Sequence, residues 1–274
     1  MKKPIIISMV NNKGGVGKTF LTLNIASVFS DDHKTLIIDN EAQNNIATTL
    51  FSEFLEIIEK GETVAEAYQG KNCEIIKVYD DEKDKGFNKQ LYLLPSNREK
   101  MKRYEIELPA KFGKDKCKVL LKSNPFLQEK LETFEFVFID CPPGLNVFTY
   151  NALNISDYVI IPVKPGKNEL IGVENLLNTL DDIQKESGHK VKLLGTIMNQ
   201  FDGTKKLSDK FFDALDSIFS EDLIFNTIVP YSVFYERSTW DGVPFDMKFN
   251  FQDAKLDEKY GVFKRIKKEI LEKL

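Results

Sequence analysis

A single α/β domain, doubly wound around a mainly parallel sheet, is the fold this sequence predicts, and three observations predict it. Short β-branched runs alternate with stretches of helical apolar spacing along the chain, which is how a parallel sheet covered on both faces reads. The first run, Ile5-Ile6-Ile7-Ser8-Met9-Val10, leads almost directly into a glycine-rich loop, Lys13-Gly14-Gly15-Val16-Gly17-Lys18-Thr19. At 274 residues the chain can build one large core and is short for two domains. No repeat or linker interrupts it, so residues 1–274 are read as one domain.

Residues 5–10 have the length and branching of a buried strand. The charged start, Met1-Lys2-Lys3, superficially resembles a signal peptide, but the apolar run is too short and the loop follows at once. Residues 20–29 have helical apolar spacing. Strand, glycine loop, lysine-threonine and helix together form the setting of a phosphate site. Glycines let successive N–H groups turn inward around an anion, and the helix aims its positive end at the same point. Lys18 then sits on the β- and γ-phosphates of a nucleotide, and Thr19 offers its hydroxyl to Mg²⁺. Further strands are expected at 35–39, 91–95, 134–140, 158–163, 193–199 and 227–229. Amphipathic helices are expected at 44–59, 169–185 and 209–219. Residues 59–122 are more polar and loosely patterned, with Asp80-Asp81-Glu82-Lys83-Asp84-Lys85 as a solvated tip.

Ligands bind beyond the carboxyl ends of such strands, and three more motifs fall there. The second strand ends in Asp39-Asn40-Glu41-Ala42-Gln43, with two carboxylates separated by one residue. Another ends in Phe136-Val137-Phe138-Ile139-Asp140-Cys141-Pro142-Pro143-Gly144. Four apolar residues place Asp140 at a dry strand tip, where a water-mediated Mg²⁺ contact is the expected use. The prolines and glycine after it make a rigid turn suited to a switch beside the γ-phosphate. Asn199 ends a later strand, and Pro230 follows the next.

The lysine at the loop entrance, Lys13, is an extra cation that a general phosphate loop does not need. With it the chain resembles the deviant P-loop ATPases, whose branches include the ParA partition proteins and the MinD division-site proteins. The resemblance extends over nearly the whole chain, through Thr63-Val64-Ala65-Glu66-Ala67, Leu93-Leu94-Pro95-Ser96-Asn97, Ile161-Pro162-Val163 with Gly172, and Gly242-Val243-Pro244. These fit ParA better than the other branches. The resemblance implies a P-loop NTPase fold and a slow Mg²⁺-dependent ATPase. Residues Lys13 to Phe20 would hold ATP, Lys13 would reach the nucleotide of a partner subunit, and Asp39 would join the Mg²⁺ shell. Glu41 would orient the attacking water, and Asn199 and Pro230 would frame the adenine. Two residues depart from the pattern. Glu41 stands where aspartate is usual, one methylene longer, and Phe20 stands where a second threonine is usual, leaving the α-phosphate to a backbone N–H.

Partners follow from the same resemblance: an ATP-dependent homodimer, a centromere-binding ParB-type protein, and DNA bound without sequence preference. Net charge is −4, so DNA contact needs a local basic patch; Lys205, Lys206, Lys210, Arg237 and the group from Lys264 to Lys268 are the candidates. A cytoplasmic, nucleoid-associated protein is expected. Three scattered cysteines, Cys73, Cys117 and Cys141, and two histidines give no metal spacing or disulfide framework. This excludes an iron–sulfur relative. The absence of a terminal tyrosine cluster and of a second phosphate loop argues against the tyrosine-kinase and tandem transport branches. The basic, amphipathic stretch 263–274 could lie on a membrane, as in MinD, but its acidic residues and single apolar stripe favour packing on the domain. A nucleotide-gated scaffold that positions a protein cargo with little turnover is the main alternative, and Glu41 is what sustains it.

Overall fold

The computed structural model describes residues 3–43, 45–50, 61–79, 89–202, 208–232 and 261–274. Its centre is a seven-stranded sheet in the order β3-β4-β2-β5-β1-β6-β7. The strands are β1 (Ile5–Met9), β2 (Thr35–Asp39), β3 (Ile76–Lys77), β4 (Leu91–Leu94), β5 (Phe136–Asp140), β6 (Tyr158–Val163) and β7 (Lys192–Met198). All pairings are parallel except the short edge pair β3–β4. The helices are α1 (Lys18–Phe29), α2 (Asn45–Leu50), α3 (Val64–Ala67), α4 (Arg98–Phe112), α5 (Pro125–Leu131), α6 (Val147–Ile155), α7 (Lys167–Ser187), α8 (Ser208–Ile218) and α9 (Val262–Lys273).

Strand alternation divides the core in two. Ile6, Leu36, Ile38, Val137, Ile139, Val159 and Ile161 point to one face, under α3 to α8. Ile7, Met9, Ile37, Phe136, Phe138 and Ile160 point to the other, under α1 and α9. Helix α1 is covered by the sheet on one side and α9 on the other, so its buried residues run almost unbroken from Leu21 to Phe29. The apolar stripe of α9, namely Val262, Phe263, Ile266 and Ile270, is buried in this second core. The expected packing of this tail on the domain is what the structure shows.

Two expectations need correction. Residues 227–229 do not form a strand. Phe225 N–H bonds to the Thr196 carbonyl on β7, but Val229, four residues on, bonds to Met198, only two residues on. Two residues therefore loop out of the ladder, because Glu269 of α9 takes the N–H groups of Asn226 and Thr227; isolated bridges remain at Ile224 and Pro230. Nor is 59–122 irregular throughout. It holds α3, closed by a capping box between Thr63 and Glu66, and the fifteen-residue α4. The buried residues of α4, Met101, Tyr104 and Leu108, keep helical spacing on a helix otherwise charged. The polar tip at 80–85, Lys205, Lys206, Arg237, the Gly242-Val243-Pro244 segment and the later part of the 44–59 helix lie outside the described residues.

Candidate functional site

The parallel register brings the tips of three strands level: Met9 pairs with Asp140, and Asp39 pairs with Asp140 from the other side. The loop from β1 to α1 closes over these tips. Gly15 and Gly17 take left-handed φ values of 73° and 87°. Gly17 is doubly constrained, since a Cβ there would stand 2.0 Å from the Asn199 amide nitrogen. Val16 is buried beneath the loop, while Gly14 and Gly15 face solvent. Asn11 braces the entrance, donating to the Pro162 carbonyl at 2.7 Å and accepting from the Lys13 N–H at 2.9 Å.

Lys18 opens α1 and is only 6% exposed. Its ammonium donates to the Lys13 carbonyl at 2.8 Å, curling the loop around the position an anion would take. Burial lowers its pKa, and the negative charges of Asp140 and Glu41 pull the other way. Thr19 follows, its hydroxyl 3.5 Å from the Glu41 carboxylate. The open cleft in front of the loop is lined by Gly14, Lys18, Thr19, Phe20, Glu41 and Pro143, with Leu23, Thr48 and Thr49 completing its wall.

Behind this cleft lies an electrostatic tension. Asp39 and Asp140 are fully buried at adjacent strand tips. Among the described residues, no donor meets hydrogen-bond geometry at Asp39 Oδ2 or at either Asp140 carboxylate oxygen. Burial pushes the Asp39 carboxyl up to about 7, against the bond it accepts from the Glu41 N–H at 3.3 Å. Burial and the charge of Asp39 push Asp140 well above the ordinary carboxylate range, with the nearby Thr19 hydroxyl and Lys18 offsetting part of the rise. Two desolvated carboxylates with three of their four oxygens lacking a donor are costly unless a cation serves them. No group of three or more acidic, cysteine or histidine side chains that could cage a metal occurs among the described residues. Buried oxygens short of donors beside the Thr19 hydroxyl fit Mg²⁺, which takes few protein ligands; Thr19, Asp39 and Asp140 would hold it.

Asn199 and Pro230 fall on a second wall, behind the phosphate loop and outside the lining of the cleft. Asn199, buried at the end of β7, donates to the Val16 carbonyl at 2.8 Å and so ties this wall to the phosphate loop. Gln200 follows in a left-handed turn at φ 53°. Phe201 and the segment through Pro230 then exchange bonds: Phe201 N–H to the Val229 carbonyl at 3.0 Å and Tyr231 N–H to the Phe201 carbonyl at 2.9 Å. Phe20 is held from outside, its ring meeting Phe263 edge-on at 5.6 Å. Among the basic candidates on α9, Lys267 pairs with Asp32 and Lys268 with Glu272. All three cysteines are buried thiols, and burial raises the pKa of each.

Several supporting residues are not evident from the local motifs. The Ser96 hydroxyl donates to the Glu41 carbonyl at 2.7 Å and helps lower Asp39. Asn40, between the carboxylates, is locked by the Phe148 carbonyl at 3.0 Å and the Tyr68 hydroxyl at 2.7 Å. Ser96 follows a predicted strand, so the rule of carboxyl-end sites pointed to it. Asn40 and Tyr68 are joined only by the fold.

A family model described as an AAA domain matches residues 4–193. The chromosome-partitioning ATPase Soj of Treponema pallidum is 28% identical, the match covering 86% of this chain and 86% of that protein. Among solved structures, McdA from Cyanothece in its apo form superposes with a TM-score of 0.79 at 19% identity, covering 97% of this chain and 99% of that one. A plasmid partition protein of Borrelia burgdorferi bound to AMPPNP superposes with a TM-score of 0.73 at 22% identity, covering 99% and 100%. At these identities the structural matches speak for the fold.

Proposed function

We propose, for a chain that belongs to the AAA-domain family and to its ParA-type P-loop ATPases, a Mg²⁺-dependent ATPase that dimerises on ATP and partitions a plasmid or chromosome. The observation that carries the reading is the pair of buried carboxylates beside Lys18 and Thr19, with Asp39 Oδ2 and both Asp140 oxygens lacking donors among the described residues. A bound Mg²⁺ would supply the positive charge that neutralises the phosphate oxygens and those carboxylates together.

The chain's own residues do the rest. Loop N–H groups and the Lys18 ammonium hold the β- and γ-phosphates, and the fixed position of Lys18 leaves little to reorganise. Glu41, already beside Thr19, orients the attacking water and accepts its proton. Phe20 leaves the α-phosphate to the backbone. Asn199 and Pro230 border the base. Lys13 serves the nucleotide of the partner subunit, so that ATP binding and dimerisation are one event. The ATP dimer binds DNA without reading sequence, through paired basic surfaces of which α9 is part. A ParB-type centromere-binding protein stimulates turnover in the cytoplasm, on the nucleoid.

One residue favours a second reading. Glu41, longer than the aspartate usual at its place, suits an ATP-gated protein that positions a cargo with little turnover. Attachment to a membrane through the tail loses ground, because the apolar stripe of α9 is buried against the domain.

Sedimentation with Mg²⁺ and a slowly hydrolysed ATP analogue tests the proposal. Wild type should dimerise, and Lys13→Ala should bind nucleotide yet stay monomeric. The dimer should bind unrelated duplexes alike and release them steeply as salt rises. An analogue-loaded protein that stays monomeric, or that prefers liposomes to DNA, overturns it.

A further inference from the structure

Helix α9 touches both α1, which begins at the phosphate loop, and the segment 222–227 that leads to Pro230. On the phosphate side, fully buried Phe263 meets Phe20, and Lys267 donates to the Val28 carbonyl at 3.0 Å. On the opposite side, the Glu269 carboxylate accepts the N–H groups of Asn226 at 2.7 Å and Thr227 at 2.9 Å. Lys273 reaches the Asp222 carbonyl and lies 5.1 Å from the centre of the Phe225 ring.

The Glu269 contacts have a geometric result. By taking two successive amides they hold 226–228 off the β7 ladder, so the chain returns two residues out of step at Val229. One residue is recovered around the left-handed Gln200, and the net slip of one puts Pro230, where an unbroken ladder would put Val229, opposite Phe201, two residues beyond Asn199, whose amide bonds to the phosphate loop. Three hydrogen bonds, Thr227 to Glu269, Phe201 to Val229 and Asn199 to Val16, joined by two short stretches of backbone, thus link Glu269 to the phosphate loop. Helix α9 closes the circuit through Phe263 and Phe20.

We infer that Glu269 is a positioning residue for the base side of the nucleotide site, setting where Pro230 stands relative to Asn199 and the loop. This rests on the proposed roles of Asn199 and Pro230 at the base. Two charge-assisted bonds from one carboxylate to adjacent amides fix both distance and direction. Asn226 is exposed, so its freed amide would meet water, while Thr227 is buried and its amide would have to shift to find a new partner, which moves the segment that leads to Pro230. A base held between two walls is sensitive to small displacements of either.

The test compares two ligands on wild type, Glu269→Ala and Glu269→Gln. ATP reads both walls, and inorganic tripolyphosphate reads only the phosphate side. ATP affinity should fall about tenfold in Glu269→Ala, the loss of a charged hydrogen-bond acceptor, with partial recovery in Glu269→Gln, which keeps one acceptor. Tripolyphosphate affinity should not change. Equal losses for both ligands would make α9 a prop for the whole fold, and no loss for either would make the contact idle; each overturns the inference. If wild type holds ATP no more tightly than tripolyphosphate, the base-side reading itself fails, before any variant is considered.

Discussion

The two walls that meet at the phosphate loop are built on different principles. The phosphate wall comes from short local motifs at strand ends: Lys13 to Thr19 follow β1, and Asp39 and Asp140 lie at paired positions on the neighbouring strands β2 and β5. Its side chains are buried and its charges are held in tension. The base wall is assembled from segments far apart in sequence, β7, 224–231 and α9, joined mostly by backbone hydrogen bonds. On the proposed function, desolvated charge would suit the first wall to a polyanion with its cation. The second wall offers shape, and its shape is borrowed from a helix at the end of the chain. Changes in the first should therefore abolish events, and changes in the second should grade them.

Lys18 should mark the extreme of that contrast. Removing it leaves a bound polyanion undercompensated in a buried site, so Lys18→Ala or Lys18→Gln should cost about a hundredfold or more in ATP affinity. Calorimetric titration reads it directly. Affinity within reach of wild type would dissolve the distinction between the walls.

Glu41 sharpens the contrast within the phosphate wall, by separating holding from reacting. Glu41→Ala should bind ATP normally and form a persistent dimer, with single-turnover hydrolysis slowed by about two orders of magnitude. Glu41→Asp restores the family's usual residue and should keep measurable turnover, since one methylene moves the carboxylate by roughly 1 Å. Wild-type turnover in Glu41→Ala would assign the water to another group. A wild type that never turns over, even with DNA and partner, would favour the cargo-positioning reading.

Legibility in the sequence follows the same divide. Strands β1, β2, β4, β5, β6 and β7 were all expected, because buried parallel strands are continuous apolar runs ending at polar motifs. Lys18, Thr19, Asp39, Glu41 and Asp140 converge as read, since each belongs to a local motif at a strand end. The expected strand at 227–229 failed for a physical reason: its apolar residues suit a ladder, but Glu269, about forty residues on, captures the amides that would complete it. The regularity of α4 was hidden because a charged surface helix buries only three residues, Met101, Tyr104 and Leu108. Tyr68 locking Asn40 is likewise a tertiary contact with no local trace.

A smaller effect should appear as pH dependence of the ligand-free protein. The folded Asp39 carboxyl is raised from 3.8 to about 7, so the folded state binds the proton more tightly than the unfolded chain. Its contribution is full below the unfolded value and is lost as pH rises through about 7, amounting to about 4 kcal/mol as an upper bound. Without nucleotide or Mg²⁺, the melting temperature should fall between pH 5 and pH 8. In Asp39→Asn the fall should be shallower. An equally steep fall in that variant would place the titration elsewhere.

The central claim is that the strand-tip carboxylates are destabilising until a cation and a triphosphate arrive. Thermal unfolding at pH 8, with a slowly hydrolysed ATP analogue and rising Mg²⁺, tests it most directly in wild type and in the Asp39→Asn, Asp140→Asn double variant. The double variant should melt higher than wild type with no ligand, because the buried carboxyl pair that resists ionisation is gone. Wild type should then rise steeply with Mg²⁺ while the variant stays nearly flat. A variant that starts below wild type, or that climbs with Mg²⁺ as wild type does, would contradict the claim.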